Sequence, residues 1–155
     1  MTNLKEGDKA PEFEGINQKG EKISLKVLTG KKVILYFYPK DDTPGCTAEA
    51  CNLGENYSDL TNRGFEVIGV SPDNEKSHQK FIDKYSLPFD LVADTEHEIA
   101  NNYGVWGEKN NYGKKYFGIH RTTFIIGEDG TIEKIFTKVD TKNHTNQILN
   151  ELKDS

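Results

Sequence analysis

Apolar residues in this chain fall in short, dense runs separated by polar stretches. Lys32–Tyr38 is continuously apolar and aromatic after its first residue and is stopped by Pro39, the pattern of a central strand covered on both faces. Gly64 closes a long polar stretch ahead of Phe65–Val70, which predicts a second buried strand. About two dozen residues separate the two runs, enough for a crossover helix, so the strands are expected to pair in parallel. Ser71-Pro72 predicts an N-cap and a first helical position for a helix running to Tyr85, with Phe81, Ile82 and Tyr85 on one face. Phe89–Val92 predicts another strand, and Glu96–Tyr103 a short helix closed by Gly104. Thr122–Ile126 and Ile132–Val139 flank the turn Gly127-Glu128-Asp129-Gly130 and predict an antiparallel hairpin. A final amphipathic helix over Thr141–Lys153 would bury Ile148, Leu149 and Leu152. Ahead of all these, residues 7–15 with Pro11 read as an extended lead-in, and a turn at Lys19-Gly20-Glu21-Lys22 leads into a short alternating strand, Ile23–Val27. The order predicts an α/β fold, a mixed central sheet flanked by helices.

Composition narrows the class. With no internal repeat, low-complexity tract or linker, 155 residues are expected to form one domain over 1–155. An apolar fraction of 34% against 29% charged argues against a membrane protein. Disorder is disfavoured because the apolar residues are concentrated in runs such as Val33–Tyr38 and Thr123–Ile126. A net charge of −5 argues against a nucleic-acid partner. Two cysteines cannot build a disulfide-dense secreted scaffold. The segment Met1–Asp8 lacks the apolar core of a signal peptide and no run has the length of a membrane span, so no membrane partner and a cytoplasmic location are expected. There, cysteines stay reduced unless redox chemistry is their role. The chain has no Gly-rich phosphate loop. His78, His97, His120 and His144 show no spacing with the cysteines that points to a metal, and read as surface or packing residues. No cofactor and no metal are expected.

The chemistry concentrates after the first central strand, in Pro39-Lys40-Asp41-Asp42-Thr43-Pro44-Gly45-Cys46, continuing to Glu49 and Cys51. Ligands of open α/β sheets bind beyond the carboxyl ends of the strands. Thr43-Pro44 predicts an N-cap and first helical position, which puts Cys46 in the first turn of the crossover helix. Unpaired N–H groups and the helix dipole favour an anion there, and so a reactive thiolate. The alternative is a buried structural cysteine that packs as a small hydrophobe; the position at a helix start favours the thiolate. The chain has 18 lysines but two arginines, so Arg121 immediately before Thr122–Ile126 draws notice. Its planar fork carries a permanent charge, and the alternative is a surface arginine. Cys51 follows Cys46 by five positions, which on an intact helix separates the Cα atoms by roughly 8–9 Å, more than a disulfide spans. The pair is neither a preformed bridge nor a Cys-x-x-Cys motif.

Pro39-x-x-x-Thr43-x-x-Cys46 resembles the signature of peroxiredoxins, the cofactor-free thiol peroxidases, and Thr43-Pro44-Gly45-Cys46-Thr47-x-Glu49-Ala50-Cys51 is similar to its bacterioferritin-comigratory (Q-type) branch. Gly7-Asp8-x-Ala10-Pro11-x-Phe13, Gly104-Val105-Trp106-Gly107-Glu108-Lys109 and Gly118-Ile119-His120-Arg121-Thr122-Thr123-Phe124 extend the likeness over nearly the whole chain. The resemblance implies a thioredoxin-like fold and a substrate that is hydrogen peroxide or an organic hydroperoxide. It implies Cys46 as the peroxidatic nucleophile and Cys51 as the resolving cysteine of an intramolecular, atypical two-cysteine mechanism. Thioredoxin or a similar dithiol would return the electrons, and a monomer or weak homodimer is expected. Thr43 would align thiolate and peroxide with its hydroxyl, or serve only as N-cap. Pro39 would wall the pocket or only end the strand. Arg121 would hold thiolate and peroxide. Glu49, one helical turn after Cys46, would orient Arg121 through a bidentate pair or stand as a solvated carboxylate. Tyr103, Trp106, Tyr112, Tyr116 and Phe117 sit in a glycine-rich loop that either lines the pocket or covers the core. A disulfide oxidoreductase of the same fold is disfavoured by the cysteine spacing, and a redox-sensing or chaperone-like binding protein is the rival of a different class.

Overall fold

Strand β3 (Lys32–Phe37) runs through the middle of a seven-stranded sheet, and its continuous apolar run is explained by burial on both sides. Side chains alternate across a strand. Val33, Leu35 and Phe37 enter one apolar cluster, whereas Ile34, Tyr36 and Tyr38 enter the other. The computed structural model describes residues 2–153. Met1, Asp154 and Ser155, the ends of the domain expected over 1–155, lie outside the described residues.

The elements follow the chain as β1 (Glu14–Asn17), β2 (Lys22–Ser24), β3, α1 (Pro44–Glu55), α2 (Tyr57–Asn62), β4 (Phe65–Ser71), α3 (Glu75–Tyr85) and β5 (Asp90–Ala93). Then come α4 (Glu98–Asn102), β6 (Trp106–Asn111), β7 (Lys114–Ile119), β8 (Thr122–Ile126), β9 (Ile132–Phe136) and α5 (His144–Lys153). The large sheet has the order β2-β1-β5-β4-β3-β8-β9, and β6 pairs with β7 in a separate ribbon. β3, β4 and β5 are parallel, while β8 runs antiparallel to β3. The face of Tyr36 and Tyr38 is covered by α1, α3 and α5 through Cys46, Ala50, Phe81 and Ile148. The face of Leu35 and Phe37 takes Ile99 and Ala100 of α4. A Cβ on Gly69 of β4 would lie 2.8 Å from Tyr36 Cζ, so this glycine makes room for the phenol beneath α1.

Several boundaries depart from the sequence pattern, each for a local reason. The crossover is two helices: the side chain of Asn56 donates to the Asn52 carbonyl at 2.8 Å and satisfies a group freed where α1 ends. Helix α3 is capped by Asn74, which accepts from Ser77 N at 2.9 Å, whereas Ser71 is the last residue of β4 and its hydroxyl donates to Asp73. Helix α4 is shorter than 96–103. His97 precedes it with a left-handed φ of 60°, and Asp94 accepts the N–H groups of Ile99 and Ala100 in the first turn. Ile23–Val27 is strand only through Ser24 and then turns through a 3-10 segment, Lys26–Leu28. The stretch read as a glycine-rich loop is the β6–β7 hairpin, turning at Tyr112 and Gly113, both with positive φ (54° and 84°), as a two-residue primed turn requires.

Candidate active site

Pro39 ends β3 at a bend, and the chain then reaches α1 through Thr43, whose extended backbone (φ −100°, ψ 156°) precedes Pro44 at the first helical position. The expected helix start is therefore in place. Its side-chain cap is not: the Thr43 hydroxyl donates back to the Lys40 carbonyl at 2.9 Å. This bond fixes the loop entering the helix and directs the hydroxyl away from capping. Cys46 follows in the first turn, 1% exposed, within the apolar cluster that holds Ala50 and Tyr36.

Arg121, between β7 and β8, reaches α1 with both ends of its fork. Nη2 lies 3.4 Å from Cys46 Sγ and Nη1 donates to Glu49 Oε1 at 2.7 Å. Its side chain is 23% exposed and that of Glu49 is 0% exposed, so Arg121 is the member of the cluster that meets solvent. Burial opposes the charge of Arg121, but Glu49 and the Cys46 sulfur outweigh it and raise its pKa. Glu49 is thus no solvated carboxylate. The pair is also not bidentate as expected: one oxygen takes Arg121, and the other is buried without a hydrogen bond. Burial, opposed by Arg121, pushes the Glu49 carboxyl up to about 7.

Gly45 permits this approach. A Cβ there would lie 3.2 Å from Arg121 Nη2, inside ordinary contact distance. Gly45→Ala is expected to displace the guanidinium and slow the peroxide step about tenfold, with little loss of helix, because alanine is the better helix former. Stopped-flow peroxide kinetics beside far-UV circular dichroism check both halves of that outcome.

Cys51 lies on the same helix, half-buried, and both cysteines are free thiols. Burial first, and Glu55 one turn on, push the Cys51 thiol up. No disulfide joins the pair, as the helical spacing requires. Pro39 is half-buried at the strand end.

Sequence reasoning missed the part that three residues, Tyr36, His144 and Lys109, play around this cluster. Tyr36 on β3 has a buried hydroxyl without a hydrogen bond, and its pKa is raised by burial and then by Glu49 and Cys46. His144, at the start of α5, is fully buried, with Nε2 2.8 Å from the hydroxyl of Thr123. Lys109 of β6 donates to the Ile119 carbonyl at 2.8 Å, and its pKa is lowered by burial and by Arg121. The aromatics of the hairpin divide: Tyr112 and Phe117 are exposed, whereas Trp106 packs on the core and stacks on His97 at 3.6 Å. A further buried cluster supports the loop before α1. Asp41 accepts from Tyr38 at 2.6 Å and Ser77 at 2.8 Å, and meets His78 Nδ1 at 2.7 Å. His78 and His144 are both buried with polar partners. Asp41, Asp73 and His78 have the donor types of a cation site, but their close atoms are engaged with one another and with Ser71 and Ser77.

A first-turn thiol against a half-buried arginine, beyond the end of a central strand, is an arrangement suited to cysteine-dependent peroxide chemistry. The chain belongs to the AhpC/TSA family, which matches residues 6–135. It is 44% identical over 154 residues to peroxiredoxin Bcp of Escherichia coli (strain K12), covering 99% of each chain. It is 45% identical over 148 residues to peroxiredoxin Bcp of Bacillus subtilis (strain 168), covering 96% of this chain and 94% of the other. Among solved structures, a cysteine-to-serine variant of PrxQ from Xylella fastidiosa superposes with a TM-score of 0.92 at 30% identity, over 99% of this chain and 98% of that one. The thioredoxin-like fold and the peroxiredoxin resemblance are thereby established, and the protein is an oxidoreductase, a thiol peroxidase.

Proposed function

We propose that Cys46 is the peroxidatic nucleophile, with Arg121 as its electrostatic partner and Cys51 as the resolving thiol. The observation that carries this reading is the Arg121 fork, one arm 3.4 Å from the Cys46 sulfur and the other on buried Glu49. The Cys46 thiolate attacks the terminal oxygen of a hydroperoxide. The sulfur–oxygen bond forms as the oxygen–oxygen bond breaks, sulfur is oxidised to the sulfenic acid, and the leaving alkoxide takes up a proton as the alcohol. Arg121 stabilises the thiolate before attack and the charge spreading along the oxygens during it. Thr43, held by Lys40, and Pro39 shape the approach at the helix start. The Cys51 thiolate then displaces hydroxide from the sulfenic acid, giving the disulfide, and an external dithiol of the thioredoxin type reduces it. The cell compartment proposed is the cytoplasm; none of the described helices is long and apolar enough to cross a membrane. In a cell this turnover is antioxidant defence.

Peroxide consumption coupled to thioredoxin and its reductase tests the assignment. Wild type is expected to turn over continuously. Cys51→Ser is expected to consume about one equivalent and stall, its sulfenic acid trapped by a dimedone-type probe and its over-oxidation to sulfinic acid increased. Because burial and Glu55 push the Cys51 thiol up, disulfide formation in wild type is expected to accelerate as pH rises above neutrality. Undiminished steady-state turnover in Cys51→Ser would remove Cys51 from the cycle.

A further inference from the structure

Two buried oxygens at the site, the Tyr36 hydroxyl and Glu49 Oε2, have no hydrogen-bond partner among the described residues. Glu49 Oε2 points into the protein, while Oε1 is held by Arg121. His144 Nε2 lies 3.6 Å from it, beyond hydrogen-bond distance, and both side chains are fully buried. The surrounding hydrogen bonds fix the tautomer of that histidine. Gln147 Nε2 donates to the Lys138 carbonyl at 2.8 Å, and Gln147 Oε1 accepts from Asp140 N at 2.9 Å. The atom 2.8 Å from His144 Nδ1 is therefore an acceptor, and Nδ1 carries the ring proton. Burial, opposed by Gln147 and Asp140, holds the imidazole down at about 4, so near neutrality Nε2 is a lone pair that accepts from Thr123. An ionised Glu49 then turns a second lone pair toward the first. The contact is no ion pair, because Glu49 ionises at about 7 and His144 charges only at about 4. A proton on Oε2 resolves the mismatch, and closing the gap by about half an ångström makes the hydrogen bond.

We propose that His144 is a positioning residue of the peroxidase site: its Nε2 lone pair, shared with the Thr123 hydroxyl, accepts a hydrogen bond from a proton carried on Glu49 Oε2, which leaves the Arg121 charge undivided on the Cys46 sulfur. This rests on the reading of Cys46 and Arg121 given above. The charge balance agrees with it. A thiolate, Arg121 and a protonated Glu49 sum to zero in the buried cluster, whereas ionising Glu49 leaves one uncompensated negative charge. The groups acting here are Cys46 on α1, Tyr36 on β3, Arg121 and Thr123 at β8, His144 on α5 with Asp140 ahead of it, and Lys109 on β6, which acts on Arg121 and Cys46.

Infrared spectroscopy of the resting reduced protein tests the proposal, with the Glu49 carboxylic-acid C=O band assigned by its loss in Glu49→Gln. Wild type is expected to show the band at pH 6 and lose it with a midpoint near 7. In His144→Phe the band is expected at higher wavenumber, as an O–H without an acceptor. In Thr123→Val, which frees Nε2 for Glu49 alone, it is expected at lower wavenumber. The second variant keeps the imidazole and guards against misfolding of the first. A missing band at pH 6, or a band unmoved in both variants, overturns the proposal. So does a band that moves in Tyr36→Phe but not in His144→Phe, which makes the phenol the partner. The measurement uses no peroxide, so it stands or falls separately from peroxidase turnover.

Discussion

Cys46→Ser is expected to lower peroxide consumption at least about 10³-fold, with the fold intact. Serine is nearly isosteric with cysteine, and the Cys46 side chain lies in the apolar cluster of Tyr36 and Ala50, with its polar contact to Arg121. Its replacement therefore leaves no sizeable cavity. A hydroxyl does not ionise appreciably at neutral pH, however, so the Arg121 charge has no anion to stabilise and the oxygen–oxygen bond no soft nucleophile to meet. Cys51 cannot substitute. It sits half a helix away, with its thiol pushed up by burial and by Glu55. Near-absent consumption with an unchanged far-UV spectrum is the expected result. Consumption above about a tenth of wild type would place the nucleophile elsewhere.

The parts of the site legible in the sequence are those set by local rules. A strand stopped by Pro39, a helix started by Thr43-Pro44 and a cysteine in its first turn follow from backbone preferences over eight residues, and each is in place. Cys46 with Glu49 one turn on follows from helical periodicity. The conjunction with Arg121 rested on the family resemblance, since nothing local joins positions 75 residues apart. The sequence pattern makes His144 a surface or packing histidine, because its meaning depends on Thr123 of β8 and Glu49 of α1 as well as Gln147 of its own helix, and only the fold joins those elements. The β6–β7 hairpin escaped for another reason. Strand prediction relies on one face being buried, and most residues of Lys114–Ile119 are exposed, leaving no alternation to read. The lead-in strand Glu14–Asn17 is too short to show a period at all.

Oxidation is expected to remove hydrogen-exchange protection from residues 44–56, and dithiothreitol to restore it. Both cysteines lie within the regular helix Pro44–Glu55, as free thiols. Five helical residues separate their Cα atoms by roughly 8–9 Å, whereas a disulfide closes at no more than about 7 Å. The bond can form only after part of α1 unwinds. The unwinding must also release α5, because Asn52 Oδ1 accepts from Thr145 N at 2.8 Å and Asn52 Nδ2 donates to the Lys142 carbonyl at 3.2 Å. Those bonds are of the kind whose loss costs about 1 kcal/mol. Asn52→Ala is therefore expected to speed disulfide formation about fivefold at unchanged rate of the first peroxide step, by raising the population of the opened helix. Gly54→Ala, which would stiffen an isolated helix, is a poorer probe, since its Cβ would lie 3.2 Å from Pro88 Cδ and strain the fold in both redox states. Exchange followed by mass spectrometry across residues 44–56 distinguishes the outcomes. Equal protection in the two redox states, with the intramolecular disulfide confirmed by mass, would show that the bond forms without unwinding and that α1 is not the element that moves.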